Sequence, residues 1–457
     1  MRSMLVGLRA ELPPMARLAT PVVVAELGWI AMGVVDIAMV GRLGPEAIGA
    51  VGVGSVVFFA IAVFGIGVSL GLDTLVAQAY GAQRLEECHR WLFHGVALSV
   101  LLAVPLTGVT VVVLAVLDRW GLDPAVEQLV GPYFSRIVWS ILPLLLYTAF
   151  RRYLQAMGLV APVMMALVSA NLINVAANWV LVFGHLGAPR LGVDGAAWAT
   201  CVSRVYLALF LLFAIVRHDR LQRTGLWQAP RRLDLTRLRR LAALGVPAAV
   251  QVTLEVGVFA AATVLAGRLD ASTLAAHQIV LSVAGVTFMV PLGVGAAGAV
   301  RVGHAVGRGD PSGARDAGWA ALVLGTGFMA CAGLGFVLVP HPILRLFTAD
   351  ATVLAIGVPL VFVAALFQLF DGLQGVATGV LRGLGDTRTP MFWNLAGHWA
   401  IGLPVGYWLC FHRGWDAVGL WVGLCVGLMV VGSVLVVTWF RRAAAWGSPV
   451  GPDGQPP

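Results

Sequence analysis

The chain has 457 residues, 59% of them hydrophobic and only 11% charged, with a formal net charge of +8 and a mean hydropathy of +0.90. Soluble domains carry about 25% charged residues, so this balance excludes a polar-surfaced soluble fold and predicts a chain solvated mostly by lipid. All 30 Lys/Arg-type residues are arginine, and the 55 glycines suit close helix packing in a bilayer.

A spanning helix needs about 20 apolar residues. Twelve such runs follow one another, at 15–41, 46–72, 91–117, 129–150, 159–184, 191–216, 241–267, 272–300, 317–339, 351–381, 390–411 and 415–440. The prediction is an all-α integral membrane protein of twelve transmembrane helices. The N-terminus lacks the short apolar stretch and small-residue cleavage site of a signal peptide, so the first run is expected to be retained.

The first run carries Glu26 and Asp36. A charge at mid-bilayer costs about 2.5–3.5 kcal/mol on insertion scales. Such acids are read first as parts of an ion, proton or cation pathway, and second as neutral hydrogen-bonded glue between helices. Glu26 lies toward the cytoplasmic half, where a wet vestibule would solvate it. Asp73, in "GLDTLVAQAYGAQR", lies near the inner interface and reads as a cap or an interfacial ion pair. On the fifth run Asn171, Asn174 and Asn178 fall at i, i+3 and i+7 and share a face. They either hydrate a cavity or join helices.

The basic segment "RHDRLQRTGLWQAPRRLDLTRLRR" (217–240) separates the sixth and seventh runs. The seventh holds Glu255, with Gln251 one turn before it on the same face. His277 and Gln278 open the eighth, near the outer surface. The tenth contains "FQLFDGLQG", in which Gln368 and Gln374 flank Asp371 at three residues either side. His398 lies in the eleventh; a lone membrane histidine is first a packing hydrogen-bonder. Phe288, Phe367 and Phe370 are candidate ring contacts for a cationic ligand, or plain packing. The tail "GSPVGPDGQPP" has a disordered composition.

Two short motifs mislead. Residues 67–71, "GVSLG", fit G-x-S-x-G, and residues 293–298, "GVGAAG", fit G-x-G-x-x-G. The first chemistry needs a strand-to-helix elbow and the second a preceding strand. Both stretches read instead as glycine-rich parts of apolar helices. The five cysteines show no C-x-x-C spacing, so neither zinc nor a disulfide framework is indicated.

With a cytoplasmic N-terminus, twenty-two arginines fall in inner segments and six in outer loops, with Arg136 and Arg204 in or near spans. That asymmetry predicts both termini inside a cytoplasmic membrane. The basic charge is thus a topology signal, and nucleic acid is not an expected partner.

The halves repeat. Pro21, Gly41, Gly67 and Gly81 match Pro247, Gly267, Gly293 and Gly307 at a constant offset of 226. Six spans per repeat is an even number, so the expected pseudo-two-fold lies along the membrane normal. The division expected from sequence is an N-terminal lobe (1–220), a basic linker (221–240), a C-terminal lobe (241–442) and a tail (443–457). The repeat is chemically unequal: Trp29 stands opposite Glu255, and Ala262 opposite Asp36.

The stretches "MGVVDIAMVGRLG", "GLDTLVAQAYGA", "LEVGVFAAATVLAGRLDASTLAAHQI", "AGAVRVGHAVGRGD" and "LFQLFDGLQGVATGVLRGLGDTRTP" occur in this order over both halves. In this they resemble the MATE (multidrug and toxic compound extrusion) family of the MOP flippase superfamily, nearest to its NorM-like branch. The resemblance implies a twelve-helix antiporter of two six-helix lobes that exports organic cations and amphipathic drugs in exchange for H⁺ or Na⁺. It implies cation-coupling roles for Glu255 and Asp371 in the C-lobe and Asp36 in the N-lobe, with Na⁺ a candidate ligand of the first two. No other cofactor is expected, and a monomer suffices. Phe367 departs from relatives that carry a tyrosine four residues before the acid, which removes one hydroxyl from a Na⁺ shell. Two other readings stay open: a lipid-linked precursor flippase, which would want a basic cavity, and a membrane-embedded enzyme, for which no nucleophile–base pair is visible.

Overall fold

The structure, a computed structural model, describes residues 2–120 and 124–445. Every regular element among them is helical. In chain order they are α1 (Arg2–Val40), α2 (Pro45–Val68), α3 (Gly71–Gly81), α4 (Leu85–Ala115), α5 (Pro124–Ile137), α6 (Ile141–Ala156), α7 (Ala161–Phe183) and α8 (Val193–Gln222). There follow α9 (Leu235–Ala266), α10 (Ala271–Gly307), α11 (Pro311–Leu338), α12 (Pro340–Arg345), α13 (Ala351–Leu384), α14 (Arg388–Asn394), α15 (Leu403–Phe411) and α16 (Asp416–Ala445). Among the described residues eleven stretches are long and apolar enough to cross a membrane, with α2–α3 and α5–α6 each forming one.

The eleventh expected run, 390–411, is helical but broken. A π-helical segment, Leu395–Gly402, separates α14 from α15. Pro404 in the first turn of α15 has no N–H to donate to the turn before it. Glycines let this irregular backbone lie against α16. A Cβ on Gly423 would sit 2.3 Å from the Gly406 Cα, and one on Gly427 2.8 Å from the Gly397 carbonyl. Lipid cannot satisfy loosened backbone groups, so a close helical neighbour has to shield them.

"GVSLG" does not lie inside one helix as its sequence suggests: α2 stops at Val68 and α3 begins at Gly71. The cause is again close approach. A Cβ on Gly67 would meet the Ala249 Cα at 2.4 Å, and one on Gly71 the Leu241 carbonyl at 2.8 Å. The Ser69 hydroxyl donates to the Gly65 carbonyl at 3.3 Å, a helix-end bond with nothing to activate it. "GVGAAG" lies inside α10, and its glycines face Val23, Gly375 and Ala321.

The chain forms two compact units, residues 24–249 (the N-unit) and residues 1–23 with 250–457 (the C-unit). The division therefore falls within α1 and α9, whereas the sequence suggested the basic segment. Packing explains this. The first turns of α9 lie on α2 and α3, where a Cβ on Gly245 would stand 2.1 Å from the Val68 carbonyl. The first turns of α1 belong with α10 and α11: Arg301 Nε donates to Glu11 Oε2 at 2.7 Å, and Gly7 abuts Asp316. Of the tail expected at 443–457, residues 443–445 end α16 and the rest lie outside the described residues.

The glycine contacts carry a direct consequence. Gly245→Val must push against backbone and should destabilise the protein by about 1–3 kcal/mol. Gly327→Val, where nothing lies within 4 Å, is the control. Thermal melts of the purified proteins in detergent read the difference, and equal melting temperatures would contradict the close-packing account.

Candidate functional site

In the N-unit, α1 places Asp36 among three neutral donors. Its Oδ1 accepts from Asn174 Nδ2 at 3.0 Å and Asn178 Nδ2 at 2.8 Å, and its Oδ2 accepts from the Thr200 hydroxyl at 2.8 Å. Asn174 and Asn178 are one turn apart on α7 and point the same way. Thr200 comes from α8, and nothing in the sequence pattern singles it out. Asn171 parts from the other two: its amide donates to the Gly28 and Leu167 carbonyls at 2.9 and 2.8 Å. It is glue between α7 and α1.

Arg204 lies one turn beyond Thr200, within electrostatic reach of Asp36 but not in a direct ion pair with it. It donates to the Ser140 hydroxyl, and its guanidinium lies 4.4 Å over the Phe58 ring. Arg136 pairs with Asp194 at 3.3 Å.

The other two N-unit acids have guanidinium partners. Glu26 accepts from Arg151 Nη2, and Asp73 lies 3.5 Å from Arg152 Nη1. All four side chains are buried. Glu26 is therefore shielded within the protein, and Asp73 is in an ion pair, one of the two roles its position suggested. The two arginines, counted above as cytoplasmic loop charges, belong to α6, which runs on to Ala156. Replacing loop with helix converts two topology charges into counter-charges.

The C-unit acids are held differently. Glu255 on α9 accepts one bond from Gln251 Nε2 at 3.0 Å and is half-buried. Asp371 on α13 is buried and feels the charge of Glu255. No basic side chain pairs with either acid among the described residues. Around them, Gln368 Nε2 donates to the Thr287 hydroxyl, and the Gln374 amide oxygen meets His398 Nε2 at 3.1 Å. His398 thus joins the π-helical segment to α13.

His277, in the second turn of α10, is wholly buried among helices, while Gln278 is exposed. Trp421 Nε1 donates to His277 Nδ1 at 3.1 Å, and Nε2 faces the Thr263 hydroxyl at 2.9 Å. Phe367 is buried edge-on to Trp421 and Phe259, at centroid distances of 5.4 and 6.0 Å. It is fixed packing beside the acid. Phe288 and Phe370 are half-buried, and Phe288 lies against Gly375.

Long apolar helices in two units, with carboxylates deep in their spans, define a polytopic membrane protein of the class that includes ion-coupled transporters. The MatE family model matches residues 21–180 and 247–408, two segments that open on the repeat-related prolines Pro21 and Pro247. A probable multidrug resistance protein NorM of Mesorhizobium japonicum is 37% identical over 95% of this chain and 94% of its own length. The multidrug resistance protein NorM of Burkholderia vietnamiensis is 38% identical, with 92% of each chain covered. The solved eukaryotic MATE transporter AtDTX14 superposes with a TM-score of 0.85 at 23% identity, covering 96% of this chain and 99% of that one, and so shares its fold. The chain belongs to the MATE family.

The Glu26–Arg151 pair is a structural tie. Glu26→Ala strands a buried guanidinium and should cost about 3–5 kcal/mol, whereas Glu26→Ala with Arg151→Met should recover most of that loss. Unfolding followed by tryptophan fluorescence measures both. A double variant no more stable than the single one would show that the pair is not a matched unit.

Proposed function

We propose that the protein is a secondary active multidrug efflux antiporter that exports organic cations and amphipathic drugs in exchange for H⁺ or Na⁺. The observation that carries this reading is the unneutralised pair Glu255 and Asp371. Two carboxyls in mutual electrostatic contact, without a basic partner among the described residues, favour any cation that reaches them. A proton, Na⁺ or a cationic drug each meets that need, and competition among them is the basis of exchange. Asp36 is the N-unit counterpart. Its three neutral donors suit the charged carboxylate, and their bonds must be rearranged when the acid is protonated.

Gln251, Gln368 and Gln374 supply polar lining in the C-unit, with Phe288 and Phe370 available to a flat cationic ligand. Phe367 brings no hydroxyl toward Asp371, which weighs toward protons. A flippase for lipid-linked pyrophosphates would use arginine at depth; Arg136, Arg151 and Arg152 are each spent on an acid, and buried Arg204 is held by the Ser140 hydroxyl and the Phe58 ring. The arginine distribution supports cytoplasmic termini in the cell's inner membrane, and one chain carries all three coupling acids, so a monomer suffices.

Proteoliposomes loaded with a fluorescent cation, given separate Na⁺ and H⁺ gradients, test the reading. Glu255→Gln, Asp371→Asn and Asp36→Asn should each lower gradient-driven transport by about tenfold or more while leaving the melting temperature intact. Transport by the wild type that persists after both gradients are collapsed would falsify coupling. Full activity in Glu255→Gln and Asp371→Asn would reassign the site.

A further inference from the structure

The segment 217–240 carries eight arginines against two acids, Asp219 and Asp234. It is held firmly on α4. Asp219 Oδ1 accepts from the Thr224 hydroxyl at 2.6 Å and from the Leu226 N–H at 2.9 Å. His89 Nε2 donates to the Thr224 carbonyl at 3.0 Å, and His94 Nε2 accepts from the Asp234 N–H at 3.0 Å. Arg237 forks onto Glu87 at 2.7 and 3.0 Å, with its guanidinium 5.1 Å over the Trp91 ring.

These contacts use both acids and Arg237. Arg217, Arg220, Arg223, Arg231, Arg232, Arg239 and Arg240 remain, all exposed and none in an ion pair among the described residues. Interleaved with them are Leu221, Trp227, Leu233 and Leu235, each more than half exposed. Exposed apolar side chains on the spans are covered by lipid tails. These four stand in the most polar part of the chain, where that explanation fails. Arg231 lies 4.8 Å over the Trp227 ring, an amphipathic pair suited to the water–lipid boundary.

The flanking helices give the level. α8 and α9 have 30 and 32 residues, or about 45 and 48 Å at ~1.5 Å per residue, against a hydrocarbon core of about 30 Å. Their arginine-bearing ends must stand clear of that core.

We propose that residues 217–240 form a docking platform for anionic phospholipids. The exposed arginines bind lipid phosphates, and Trp227 with the three leucines seats in the layer between headgroups and tails. The guanidinium fork matches phosphate oxygens in pairs. A polybasic segment beside a span is drawn to an anionic leaflet. The exposed leucines and the adjoining spans favour a bilayer over a soluble polyanion. The platform acts whatever the exported molecule is.

The test uses the full chain in neutral detergent, with retention of phosphatidylglycerol against phosphatidylcholine read by native mass spectrometry. The wild type should prefer phosphatidylglycerol, and the preference should shrink as NaCl rises. Arg231→Gln/Arg232→Gln/Arg239→Gln/Arg240→Gln, which leaves the Arg237–Glu87 tie intact, should lose about tenfold or more of that preference. The four-lysine equivalent should keep most of it. Should the glutamine variant not fold, Arg232→Glu and Arg240→Glu made singly must each lower the preference. No preference in the wild type, an unchanged preference in the charge variants, or displacement of the lipid by an equal concentration of single-stranded RNA would each overturn the proposal.

Discussion

Charge neutralisation in a medium without water governs this molecule. An ionised carboxylate in hydrocarbon needs a partner. The chain supplies two kinds. Glu26 and Asp73 each receive an arginine from α6, and so become ties between helices. Asp36 receives amide and hydroxyl donors, while Glu255 receives one amide and Asp371 has only the like charge of Glu255 nearby, which leaves that pair unneutralised. A buried acid matched by arginine has its charge balanced by a side chain of the protein itself. Side chains of the same type thus stand in two kinds of surroundings.

The two units solve the same problem unequally. In the N-unit the donors converge on one acid from α7 and α8. In the C-unit two acids on α9 and α13 share a region lined with glutamines, closed by a broken helix and a wall of aromatic rings. The π-helical segment belongs to this arrangement. It turns His398 onto Gln374, which lies one turn past Asp371, and glycines on α16 make room for it. Phe367, edge-on to two neighbours, makes that wall rigid.

Hydropathy made the spans legible, because about 20 apolar residues in a row have few other uses. Repeat-related prolines and glycines made the two halves legible. Asp36, Glu255 and Asp371 stood out because acids within apolar runs are costly. Partners were much harder to read. Thr200 lies far along the chain from Asp36, and its hydroxyl is unremarkable in sequence. Arg151 and Arg152 looked like loop residues because a span of ordinary length ends before them; α6 carries them inward, where the acids already are. The asparagine triplet was legible as a face, but not its split, in which Asn171 meets backbone while Asn174 and Asn178 meet Asp36. The break at Ser69 and the π-helical stretch arise from helices pressed together, a property that no local pattern contains.

The placement of the unit boundaries inside α1 and α9 bears on how the chain is made. The N-unit includes residues 235–249, and their glycine contacts with α2 and α3 form only after some of the last residues of that unit are synthesised. The C-unit includes the first residues of the chain, which must wait for α10 and α11 to emerge before Glu11 meets Arg301. Neither half can complete its packing on its own. Biogenesis therefore holds an early segment in reserve for a late partner, and a chain cut in the basic loop would yield two pieces that each lack part of their own interior.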